Sequence, residues 1–110
     1  MNGRQTLSEN IADVAGLADS FDAWRLSLQG GAAPSVAGFS GEQLFFLSFG
    51  QTWRRKMREP ALRRQVVTDG HAPAEYRADT VRNLDAWYEA FKPAAGQKLY
   101  LAPPDRVRVW

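Results

Sequence analysis

The chain has 110 residues, of which 45% are hydrophobic, 12% aromatic and 24% charged, a composition that fits one small globular domain and excludes disorder, collagen and low complexity. Fourteen Lys and Arg against twelve Asp and Glu leave a net charge of only +2, too small a field to steer a polyanion strongly. Cysteine is absent and histidine occurs once, which excludes disulfides, thiolate metal sites and a two-histidine metal site within one copy.

Met1-Asn2-Gly3-Arg4 leads straight into a helical pattern, with no signal-peptide h-region. The spacing predicts a first helix from about Leu7 to Leu28. Thr6 followed by Glu9 fits a capping box. Leu7, Ile11, Val14, Leu17, Phe21 and Leu28 recur at helical intervals. Gln29-Gly30-Gly31 ends it, and a Gly-, Ala- and Pro-rich loop runs to Phe39.

A second helix is expected from about Gly41 to Arg58, capped by Ser40 with Gln43. Leu44, Phe45, Phe46, Leu47 and Phe49 leave almost no polar side, so that half is expected to be buried all round. The longest apolar run, Leu44-Phe45-Phe46-Leu47, is far below the ~20 residues of a membrane span. Further along, Trp53 and Met57 are expected to face inward and Arg54, Arg55, Lys56 and Arg58 outward. Pro60 suits the first turn of a short helix through Val67. Residues 68–72 read as a loop. A helix near 73–82 and another through Phe91, capped by Asn83, complete the helical set. Lys98 to Trp110 reads as an extended tail. The fold class is all-α, a small bundle of four or five helices with an extended C-terminal tail.

Glu9 and Asp13 are one turn apart, and Gly16 and Ser20 continue their stripe. The bland reading makes Glu9 part of a cap and leaves Asp13 solvated. The alternative puts both carboxylates against a closely approaching helix, where an unpaired charge is costly and needs a cation or donor. His71 lies in a loop, and Asp69 two residues earlier could accept a hydrogen bond from one ring nitrogen. The other nitrogen would then be free to donate to a developing oxyanion. An ordinary surface histidine is the competing reading. Arg77 could hold a carbonyl or carboxylate by a forked contact, or be a plain exposed helix arginine. The basic run Arg54, Arg55, Lys56, Arg58, Arg63, Arg64 could contact phosphates. It lacks interleaved aromatics for base stacking and reads better as a solvated face.

Taken in order, Ser8-Glu9-Asn10-Ile11-Ala12-Asp13, Leu44-Phe45-Phe46-Leu47 with Gln51-Thr52-Trp53, Thr68 through Arg77 and the terminal Arg108-Val109-Trp110 resemble the C-terminal part of the neprilysin and endothelin-converting-enzyme family of zinc metallopeptidases. The resemblance runs from Gln5 to Trp110. It implies part of a thermolysin-like (zincin) catalytic lobe. It implies that Glu9 is the third zinc ligand and that Asp13 orients a zinc-ligand histidine on a neighbouring helix. His71 would stabilise the tetrahedral oxyanion, with Asp69 orienting it. Arg77 would bind a substrate carbonyl beside the scissile bond, and Thr52 and Trp53 would form part of the pocket wall beyond that bond.

The departures are informative. The family's His-Glu-x-x-His helix, with two zinc ligands and the general base, is not in these 110 residues. The large N-terminal lobe is absent as well. Ser8 and Ala15 stand at positions where glycine is common, and Arg54, Lys92 and Val107 stand where animal members carry half-cystines. This points to the bacterial branch. The expectation is a C-terminal segment that is inactive alone. Zn²⁺ would belong to the full-length enzyme and would not bind the segment by itself. Expected partners are peptide substrates, the missing N-terminal part and, for the segment alone, a second copy in a homodimer. No nucleic acid and no membrane span are expected. The compartment stays open between periplasmic, secreted and cytoplasmic. A basic nucleic-acid-binding module and a non-catalytic dimerising domain are the rival readings.

Overall fold

The computed structural model describes residues 1–109; the terminal tryptophan of the sequence motif lies outside the described residues. The elements are α1 (Leu7–Ser27), α2 (Gly41–Thr52), α3 (Glu59–Thr68), α4 (Ala74–Ala78) and α5 (Asp85–Phe91). Short 3₁₀ turns span Asp79–Asn83, directly after α4, and Pro103–Asp105 in the tail. Among the described residues the only β-type pairing is an isolated bridge between Val36 and Phe39. The all-α class and the five helices agree with the sequence reading.

The core forms where α1, α2, α5 and the 79–83 turn meet. Val14, Leu17, Phe46, Val81 and Leu84 are its buried residues. Phe21 of α1 stacks on Phe46 at 5.2 Å between centroids and meets Phe45 edge-on at the same separation. Phe91 of α5 reaches Phe46 at 6.5 Å. Such offset and edge-on aromatic pairs add to plain area burial. The core is small. The radius of gyration is 15.4 Å, larger than the roughly 13 Å of a compact chain of about this length.

Several expectations change. Thr6 precedes α1 but makes no side-chain cap. The chain is already turning there: the Thr6 N–H donates to Asn2 O, and Thr6 itself is helical in φ and ψ. A capping side chain needs an extended backbone, so the Thr6–Glu9 box does not form. Ser40 does have that backbone, and its box with Gln43 is complete, at 3.2 and 3.0 Å. Leu7 and Ile11 are exposed rather than packed; they line an open groove shared with Ala72, Tyr76 and Val107. The Leu44–Phe49 stretch is not buried all round either; Phe46 is enclosed, Leu47 is exposed, and an open groove borders the same helix.

Helix α2 stops at Thr52, six residues before the expected Arg58. The Thr52 hydroxyl donates to Phe49 O at 2.7 Å, and the Trp53 ring packs against Phe49 and Arg77. Beyond it, residues 54–58 have no helical structure, and Met57 is exposed rather than inward. Asn83 does not cap α5. Its amide donates to Thr80 O and accepts from the Val107 N–H, which ties the tail to the body. Arg106 and Arg108 both reach Asp85 at 2.7 Å, and Arg106 lies 3.5 Å over the Tyr88 ring. The extended tail is therefore clamped along α5.

Candidate functional site

α1 presents Glu9 and Asp13 one turn apart, as helical spacing requires. The loop after α3 delivers Asp69 and His71 to the same end. An Asx turn shapes it: Asp69 Oδ1 accepts from the His71 backbone N–H at 2.9 Å. The same oxygen lies 2.8 Å from His71 Nδ1. His71 Nε2 then faces Glu9 Oε2 at 3.1 Å. The imidazole is thus held between two carboxylates from different elements, and all three side chains remain about half exposed. The backbone and ring contacts from His71 hold the Asp69 carboxyl below its ordinary value. Gln5 steadies the loop from α1's side by donating to Asp69 O at 3.3 Å.

Arg77 comes from α4. Its Nε and Nη2 donate to the two oxygens of Asp13 at 2.8 and 2.7 Å, in a largely buried pair. The hydrogen bonds that Arg77 donates to Asp13 raise its pKa above the ordinary value. Trp53 lies beneath the guanidinium, 4.2 Å from Cζ to the ring centroid. Among the described residues Nη1 makes no hydrogen bond. Asp13 therefore is not solvated, and its cation comes from this chain.

Beside Asp13 runs a groove of about 690 Å³ between α1 and α2, lined by Ala12, Gly16, Ser20, Phe45 and Ser48, with Thr52 at one end. Ala12, Gly16 and Ser20 are exposed along it. The structure brings the candidate residues into two groups one helical turn apart on α1, Glu9 with His71 and Asp69, and Asp13 with Arg77 and Trp53, and Thr52 lines the groove with Asp13. The Glu9–His71 and Asp13–Arg77 contacts were not legible in the sequence. Each joins α1 to a part of the chain more than sixty residues away, and no local spacing rule connects them.

Catalytic zinc takes three protein ligands, and among the described residues no three His, Cys, Asp or Glu side chains gather at one point. Glu9 is one half-exposed carboxylate. It suits one ligand position and no more.

Residues 1–107 match the family model described as Peptidase family M13. The chain is 34% identical over its full length to human membrane metallo-endopeptidase-like 1, covering 14% of that protein. It is 32% identical over its full length to the neutral endopeptidase of Lactobacillus helveticus, covering 16%. The structure superposes on the Mycobacterium tuberculosis zinc metalloprotease Zmp1 with a TM-score of 0.94 and 41% identity, over 98% of this chain and 17% of that one. An all-α segment of a metallopeptidase catalytic domain is the class that fold and similarity define. The chain belongs to peptidase family M13, as the ordered motifs indicated, and it spans between about a seventh and a sixth of the length of these relatives.

Proposed function

We propose that this chain supplies the carboxylate ligand and the substrate-holding side of a zinc endopeptidase centre. The observation that carries this reading is the convergence of Glu9, the Asp69–His71 pair and the Asp13–Arg77 pair on one face, from α1, a loop and α4. Glu9 serves as one metal ligand. Two histidines and a general-base glutamate come from a His-Glu-x-x-His helix outside these 110 residues. Zinc in such a centre polarises the scissile carbonyl and lowers the pKa of its bound water.

The chain's own residues do the rest. Asp69 accepts from His71 Nδ1–H and fixes the ring; with Glu9 turned to the metal, the Nε2–H of a ring protonated at both nitrogens is released from Glu9 to donate to the oxyanion as it develops. Asp13 occupies one edge of the Arg77 guanidinium and leaves Nη1 to donate to a peptide carbonyl beside the scissile bond. The groove along α1 and α2 receives either the zinc-binding helix or, in the isolated chain, a second copy.

Alone, the chain hydrolyses no peptide. The test joins the purified 110 residues to the reading frame that precedes them. Chelator-sensitive hydrolysis of a generic peptide by the longer protein, lost in Glu9→Gln and strongly reduced in His71→Ala, is the expected result. Chelator-sensitive hydrolysis by the 110 residues alone would overturn the reading.

A further inference from the structure

We infer that Trp53 is a positioning residue for Arg77: its indole face sets the plane of the guanidinium and so the direction of the donor edge that Asp13 leaves open. This rests on the reading of Arg77 as a substrate-carbonyl donor, but the positioning is measurable by itself. Two contacts from Asp13, to Nε and Nη2, fix one edge of the guanidinium. They do not fix its plane, which can still pivot about the line between the two carboxylate oxygens. A flat π surface 4.2 Å below Cζ opposes that pivot, since a cation over an indole face is attracted by the ring quadrupole. The carboxylate and the ring together leave Nη1 in one orientation.

The indole is itself held. Phe49, one turn earlier on α2, packs on it at 6.1 Å between centroids and 74° between planes. The backbone gives up helical continuation at this residue, with the Trp53 N–H donating back to Gly50 O at 3.2 Å. Trp53 Nε1 is buried and makes no hydrogen bond. An indole kept for its polar tip would have a partner for that donor. Here the tip is unused and the face is occupied by Arg77.

The experiment is ¹⁵N–¹H NMR of the Arg77 Nε–H in the 110-residue chain, with no peptidase assay involved. Failure of the zinc-peptidase reading would appear as absent chelator-sensitive hydrolysis by the longer protein, whereas failure of this inference appears in the arginine resonance. A proton shifted by the indole ring current is expected in the unmodified chain. Trp53→Leu should lose that shift and broaden the guanidinium resonances, and Trp53→Phe should restore a smaller shift and the narrower lines. A random-coil Arg77 resonance in the unmodified chain would overturn the inference. So would an unchanged resonance in a folded Trp53→Leu chain that has merely lost melting temperature. Should Trp53→Leu fail to fold, Trp53→Phe decides: a retained shift supports positioning, and a random-coil resonance overturns it.

Discussion

Asp13 and Arg77, 64 positions apart in the chain, are joined edge to edge: Nε donates to Oδ2 at 2.8 Å and Nη2 to Oδ1 at 2.7 Å. The pair fastens α4 to α1, and Asp13 also lines the groove. The Arg77 and Asp13 side chains are only 19% and 11% exposed, so loss of one partner leaves a charge with little solvent to replace it.

Asp13→Ala or Arg77→Ala should therefore destabilise the chain by about 3 kcal/mol, the scale for orphaning one member of a buried pair. The double replacement Asp13→Ala with Arg77→Ala should cost clearly less than the two single changes added together, because no charge is left unpaired. Urea unfolding of the four proteins measures the cycle. Additive losses would mean that the two groups do not act as a pair.

The Asp69 carboxyl carries the pH dependence of the His71 loop. Its folded pKa lies below the ordinary value because the His71 backbone N–H and ring favour the ionised form. For a carboxyl lowered on folding, the linked stability is fully present above the unfolded value of about 3.9 and drains away as pH falls through the folded value. Unfolding measured from pH 6 downward should show an acid-side loss below about pH 4, smaller in Asp69→Asn than in the unmodified chain. An identical acid limb in both would exclude this carboxyl as a contributor.

Ser40→Ala should cost about 1 kcal/mol, since it removes the hydroxyl that accepts from the Gln43 N–H in a formed capping box. Thr6→Ala removes no such bond. Its cost comes instead from the Thr6 hydroxyl, which accepts from Asn10 Nδ2 at 3.3 Å inside a nearly enclosed site. Replacing Gln43 by Ala should weaken α2 as Ser40→Ala does, while Glu9→Ala should leave the start of α1 unchanged. Helical content by circular dichroism during thermal unfolding separates these cases.

The two caps also show where sequence reasoning succeeds and where it stops. Both boxes have the same residue pattern, and only Ser40 is reached by an extended backbone. The positions of α1, α2 and α3 follow from periodicity and from Gly and Pro punctuation, because those signals act within a few residues. The end of α2 does not follow. Trp53 and the four basic residues after it continue a helical pattern, but the indole is claimed by Arg77, twenty-four positions later. The candidate residues were recognisable as an ordered set of motifs. Their pairing was not, because Glu9 meets His71 and Asp13 meets Arg77 only once α3 has carried the chain back to α1.

The last expectation concerns the groove between α1 and α2. Ala12, Gly16 and Ser20 are exposed along one side of it, and a Cβ built on Gly16 meets no atom within 4 Å. Phe45 and Leu44 line the other side and are only partly covered. Burying one large apolar side chain fully is worth about 1.5–3 kcal/mol, so an open apolar groove of this kind drives association. A two-fold dimer is the commonest way for identical chains to cover such a surface. Asp13 does not oppose it, since Arg77 already neutralises the carboxylate within each copy. Sedimentation at micromolar concentration should show a concentration-dependent dimer for the isolated 110 residues. Gly16→Arg places a charge in space that is open in the single chain, so it should leave the fold and melting temperature nearly unchanged while shifting the equilibrium to monomer. A monomer at every concentration, or a dimer indifferent to Gly16→Arg, would show that this groove is not where copies of the chain meet.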